Sequence, residues 1–150
     1  MKHKTFKTAI AAVVASVMAS GAAFAETLEA PEPYMTQLTQ QMVHYSQQYM
    51  SGKELSAAQT GALAQGGKDQ LTIELDSGGS FSFLAVCDSD CSDIDLRVYD
   101  PSGNLVGEDV LLDDYPVVSF TAARSASYTV EVIMATCTQS PCFYAVGTFE

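Results

Sequence analysis

The chain contains no tryptophan, and of its two histidines only His44 lies beyond the first 25 residues. A serine or cysteine nucleophile needs a base beside it, and a lone histidine in a glutamine-rich stretch supplies no such constellation. The missing indole also removes the usual aromatic support for a sugar-processing site. Basic residues are scarce as well. There are 7 of them against 18 acidic ones, and Lys2, Lys4 and Lys7 all lie at the extreme N-terminus. Past residue 25 the balance is four against eighteen, a net charge of −14 with His44 neutral. That argues against nucleic acid or an anionic membrane as a partner. No glycine-rich phosphate loop or dinucleotide fingerprint occurs. The four cysteines lack the C-x₂-C spacing of a zinc site.

What is present begins with an export leader. A basic start, an apolar run over residues 9–19 and the small-x-small site Ala23-Phe24-Ala25 predict cleavage after Ala25. No later stretch approaches the ~20 apolar residues of a membrane span, so the mature chain is expected not to be membrane-embedded. No cysteine follows the cleavage site, so no lipid anchor is expected. The expected destination is periplasmic or secreted. In that setting Cys87, Cys91, Cys137 and Cys142 read as two disulfides. Three pairings are open. Proximity favours Cys87 with Cys91 and Cys137 with Cys142, each closing a loop worth ~2 kcal/mol on the chain-entropy estimate. Crossed pairing becomes available if both loops sit at one end of the fold.

Over residues 34–50, Met35, Leu38, Met42, Tyr45 and Tyr49 recur at steps of three and four, which predicts an amphipathic helix. Pro33 suits its first turn and Gly52 its end. The stripe of methionine and tyrosine is either a packing face or a docking surface for another protein. Residues 51–67, rich in alanine, glycine, glutamine and serine, read as a connector. From residue 68 the period becomes two. Leu71, Ile73 and Leu75 alternate with polar residues, residues 81–87 are apolar on both faces, and Ile94, Leu96 and Val98 oppose Asp95, Arg97 and Tyr99. Pro101, Gly103 and Asn104 mark a tight turn. Further strands are expected at residues 105–107, 117–121, 128–134 and 143–149. About seven short strands describe a mainly β chain, an antiparallel β-sandwich preceded by one helix.

The run Ser92-Asp93-Ile94-Asp95-Leu96-Arg97-Val98-Tyr99-Asp100 with its Pro101-Ser102-Gly103-Asn104 turn, the strand at 117–121 and the run from Ser127 to Val132 resemble the bacterial pre-peptidase C-terminal domain over roughly residues 71–150. The resemblance implies a jelly-roll-like sandwich that is non-catalytic and accessory to a secreted peptidase. With no peptidase in this sequence, a free-standing module is expected that engages an envelope or extracellular protein or polysaccharide.

Nine carboxylates fall within residues 88–114, where Arg97 is the only basic residue. Such density is either a solvated surface or a site for Ca²⁺, which takes crowded oxygen ligands. The EF-hand pattern fails, because counting from Asp88 puts Asp93 at the glycine position and Tyr99 at the final glutamate position. An irregular calcium site would use Asp93 and Asp95 with Asp109, Asp113 or Asp114; alternatively Asp93 caps backbone N–H groups of the turn. Asp93 and Asp95, two apart on a strand, would also project to one face, the minimal arrangement for an aspartate-based glycan hydrolase.

Overall fold

In a computed structural model that describes residues 30–150, one helix precedes eight strands: α1 (Tyr34–Tyr49), β1 (Leu55–Leu63), β2 (Lys68–Leu75), β3 (Ser80–Cys87), β4 (Cys91–Tyr99), β5 (Leu105–Asp109), β6 (Val117–Thr121), β7 (Ala126–Cys137) and β8 (Cys142–Phe149). The leader and its cleavage site lie outside the described residues. The strands form two four-stranded antiparallel sheets, β1-β8-β3-β6 and β2-β7-β4-β5. That order is the nested pairing of a jelly roll, which places first against last and second against next-to-last.

Alternation along each strand builds the core between the sheets. Phe81, Phe83 and Ala85 of β3 meet Ile94, Leu96 and Val98 of β4 and Val130, Val132 and Met134 of β7, all buried. The other face of β3 is apolar for a separate reason. Leu84 and Val86, with Ala145 and Phe149 of β8, lie under α1, where Leu38 and Met42 complete a second cluster. The helix therefore covers the outside of the first sheet. Gly52, with φ of 78°, follows α1 in the left-handed conformation that lets the chain turn back into β1.

The reading of residues 51–67 as a connector is corrected: they contain the nine-residue strand β1, paired with β8 from Leu55↔Phe149 to Leu63↔Cys142. Its small and polar residues conceal the strand period, because β1 is an edge strand whose outer half is exposed. Its buried member is Gly61, opposite Tyr144. A Cβ there would stand 2.5–2.7 Å from the phenol atoms of Tyr144. That ring is fully buried, and its hydroxyl donates to Asp69 Oδ2 at 2.6 Å. Burial, with the Asp69 hydrogen bond and charge, holds the phenol far above its ordinary pKa. Gly61→Ala is accordingly expected to overpack the site and lower Tm by about 5–10 °C. A thermal melt with a shift under about 2 °C would show that Tyr144 does not need the missing side chain.

Candidate functional site

Both cysteine pairs form locally, Cys87–Cys91 and Cys137–Cys142, each with a Cα separation of 5.9 Å. The two loops nevertheless sit side by side, since Cys91 is in register with Cys137 and Thr138 donates from both its amide and its hydroxyl to the Asp90 carbonyl. Asp88 joins them. Its buried carboxylate accepts from the Asp90 amide at 2.9 Å and from the Phe143 amide at 2.7 Å. Capping of this turn thus falls to Asp88, while Asp93, the alternative cap, meets the Asp113 amide instead. The helix adds two ties, with Gln41 Nε2 donating to the Cys87 carbonyl and Gln37 Oε1 accepting from the Ser89 amide.

The carboxylates gather along the β4–β5–β6 edge. β5 pairs with β4 only from Leu96 to Tyr99; beyond it, loop 110–116 continues alongside β4, where the Ile94 amide donates to the Asp113 carbonyl at 3.0 Å. Register shifts of the β4–β7 ladder lie on both sides of Asp93. Such irregularities re-aim side chains next to sites. Asp93 is 9% exposed, and its Oδ1 has no hydrogen-bond partner among the described residues. Burial raises its pKa, opposed by the Asp113 amide. Asp95 is also raised, first by burial and then by Asp93, with Arg97 opposing and Asp109 and Asp113 adding to the effect. Asp113 is raised by burial and by Asp109, Asp114 and Asp93, against the Tyr115 amide that donates to its Oδ1 at 3.2 Å.

The five residues proposed for a cation are therefore linked through Asp113, which feels Asp93, Asp109 and Asp114 and acts on Asp95. The oxygens of Asp109 already accept from the Leu111 and Val117 amides at 3.3 and 2.8 Å. The charge of Asp114 also raises the pKa of Tyr45 on the helix, after the larger effect of burial. Among the described residues no three His, Cys, Asp or Glu side chains converge in a ready-made metal geometry. Arg97 is held away by Glu108 at 3.1 Å and Glu131 at 3.8 Å.

The helix stripe is directed inward. Leu38 and Met42 are buried against the first sheet, with Met35 and Tyr45 packed on the same cluster. Tyr45 stacks on Tyr115 of the acidic loop with ring centroids 4.3 Å apart, and Tyr49 lies 5.6 Å from the same ring. Of the residues named as a docking face, only Tyr49 remains largely exposed. His44 is exposed, and its ring lies edge-on to Tyr45.

A feature not singled out from the sequence is the exposed run Val110-Leu111-Leu112 at the crest of the β5–β6 loop, with Leu112 91% exposed and Leu111 67%. Three adjacent apolar residues between aspartates were the available sign. In a soluble surface such a run is an anomaly that function can account for.

No family model matches the chain, and no curated protein does. Among solved structures, the pre-peptidase C-terminal domain of collagenase from Bacillus anthracis is similar. It shares 14% identity with a TM-score of 0.50, over 63% of this chain and 89% of that one. At that identity the likeness is one of fold, and the sandwich has the fold of a pre-peptidase C-terminal domain.

Proposed function

We propose that this protein is a non-catalytic, exported binding module whose β5–β6 loop seats in an apolar pocket of an envelope or extracellular protein. The observation that carries the reading is the exposure of Leu111 and Leu112 on a loop whose base is fixed by Asp109, Asp113 and the Ile94 amide. A tip of this kind, rigid at its base and apolar at its end, presents area without a large ordering cost. Aliphatic side chains offer a polysaccharide no hydrogen bonds, so a protein pocket is the better complement. The flanking Asp109, Asp113 and Asp114 add a preference for a basic rim on that pocket. Two disulfides fit the oxidising compartment that export implies. The hydrolase reading gains no support, because a buried Asp93 leaves Asp95 without an accessible carboxylate two residues away.

A photo-crosslinking residue in place of Leu112, in cells that export the protein, is expected to give one discrete protein adduct. Leu111→Ser in the same background should remove it. Adducts that persist unchanged with Leu111→Ser, or none at all, would count against the loop as the contact.

A second reading, a calcium-stabilised module, is favoured by Asp93 alone: a buried carboxylate oxygen without a hydrogen-bond partner among the described residues, on a side chain whose charge acts on Asp95 and Asp113, suits a cation ligand. Asp93 and Asp95, with Asp113, would hold the ion. Added millimolar calcium is then expected to raise Tm by several degrees, and Asp93→Asn to abolish that shift. An equal shift in the variant excludes Asp93 as a ligand.

Without the ion the same group acts on pH dependence. Because Asp93, Asp95 and Asp113 ionise less readily folded than unfolded, their charge opposes folding at neutral pH. Their contribution improves as pH falls through the raised values towards about 4, where the unfolded groups also protonate. In chelator, Asp93→Asn should melt a few degrees above the parent at pH 7, with the gap narrowing near pH 4. A gap of constant size across that range would show that the charge is not the cause.

A further inference from the structure

At the opposite edge of the first sheet, α1 and β1 form a second surface. The helix packs on β3 and β8 and stops short of β1, leaving an apolar cleft of about 180 Å³. It is lined by Met35, Met42 and Val43 of the helix and by Leu55, Ala58 and Ala145 of the sheet, among others. Val43 and Leu55 are 51% and 50% exposed. Among the described residues β1 has β8 on one side and no strand on the other. Its sequence, Leu-Ser-Ala-Ala-Gln-Thr-Gly-Ala-Leu, has neither charge nor proline. Natural edge strands block pairing with charge, proline or a bulge, and β1 has only a register shift between Leu55 and Ala57, at its start.

We propose that residues 55–59 of β1 accept an extended peptide of a partner protein as a further strand, with its large apolar side chains entering the cleft beside α1. The edge supplies main-chain donors and acceptors, and the cleft supplies pockets for alternate side chains, the two components of recognition by strand addition. A second copy of this chain is the poorer occupant. Pairing β1 with itself would bring small residues of the cleft-facing side, such as Ala58 and Ala62, to the cleft and leave it unfilled. The charge of the rim selects further. Glu32 lies beyond Met35 on the helix side, and Glu54 and Glu150 pair through their backbones at the start of β1. The nearby Lys53 is engaged with the Ser80 carbonyl. A peptide with lysine or arginine flanking an alternating apolar stretch therefore complements the site. This surface is separate from the β5–β6 loop, on the other edge of the fold, and either can fail without the other.

The probe is a fluorescein-labelled nonapeptide alternating leucine and threonine with a lysine at each end, read by fluorescence polarisation on the full exported chain. Saturable binding is expected, weakened at least about tenfold by Ala58→Lys and by N-methylation of the peptide at alternate residues, with slowed amide exchange in β1. Leu55→Lys, at a half-exposed position, provides a second variant if Ala58→Lys melts below the parent. Leu111→Ser should leave the affinity unchanged. No saturation at millimolar peptide, or equal binding by the N-methylated peptide, overturns the proposal. So does sedimentation showing a dimer that Ala58→Lys dissociates and the peptide cannot enter, which would assign the edge to a second copy.

Discussion

The structure depends on burying both faces of one strand pair. β3 and β8 run down the middle of the first sheet, and each presents apolar residues to the inter-sheet core and to α1 alike. A four-stranded sheet covered on one side only would leave Leu84, Val86, Ala145 and Phe149 in water. Fully burying a side chain of that size is worth roughly 1.5–3 kcal/mol each. The helix is thus a third layer of the domain, and its hydrogen bonds to the Cys87 carbonyl and the Ser89 amide fix its position along the sheet. The same demand explains why Leu38 and Met42 of the helix stripe are taken up by packing, while Met35 is only partly covered and Tyr49 stays exposed. It also explains why what remains open beside it is a cleft.

Charge is distributed unevenly across this frame. The jelly-roll order puts β5 and β6 at one pair of sheet edges and β1 and β2 at the other. Carboxylates gather at the first, around loop 110–116, and are absent from β1. Burial beside β4 raises the pKa values of Asp93, Asp95 and Asp113, with neighbouring carboxylates adding to the effect at Asp95 and Asp113, and one Asp93 oxygen has no hydrogen-bond partner among the described residues. Groups that cost stability in this way are candidates for a functional site. The two edges therefore offer different chemistry, one crowded with carboxylates around an apolar crest and the other an uncharged strand, β1, beside an apolar cleft with glutamates at its rim.

How far the sequence reveals this depends on how strongly each residue's environment constrains it. The strands at 80–87, 91–99 and 126–137 are legible because each must alternate, or be apolar throughout, to satisfy a buried face. The amphipathic period of residues 34–49 is legible for the same reason. β1 is not, since an exposed edge strand needs backbone pairing alone and places no demand on side chains beyond Gly61. The candidate site is legible only as composition. Nine carboxylates in one stretch predict an acidic surface, but register shifts in the β4–β7 ladder decide that Asp93 is buried and Asp88 becomes the cap. Those shifts are properties of a pair of strands distant in sequence, and neither strand carries them alone.

The placement of the disulfides ties these points together. Both loops lie at the end where β3 passes into β4 and β7 into β8, so they brace the strand pair that supports α1 and, through β4, the start of the acidic edge. Asp88 makes that brace one unit by hydrogen-bonding both loops. Neither apolar surface is so braced, the crest being carried by a loop and the cleft bounded by an edge strand paired on one side among the described residues. Recognition elements on a rigid support can adapt at their ends while their bases stay fixed. The proposed binding role draws on that division between a locked end and two accessible edges.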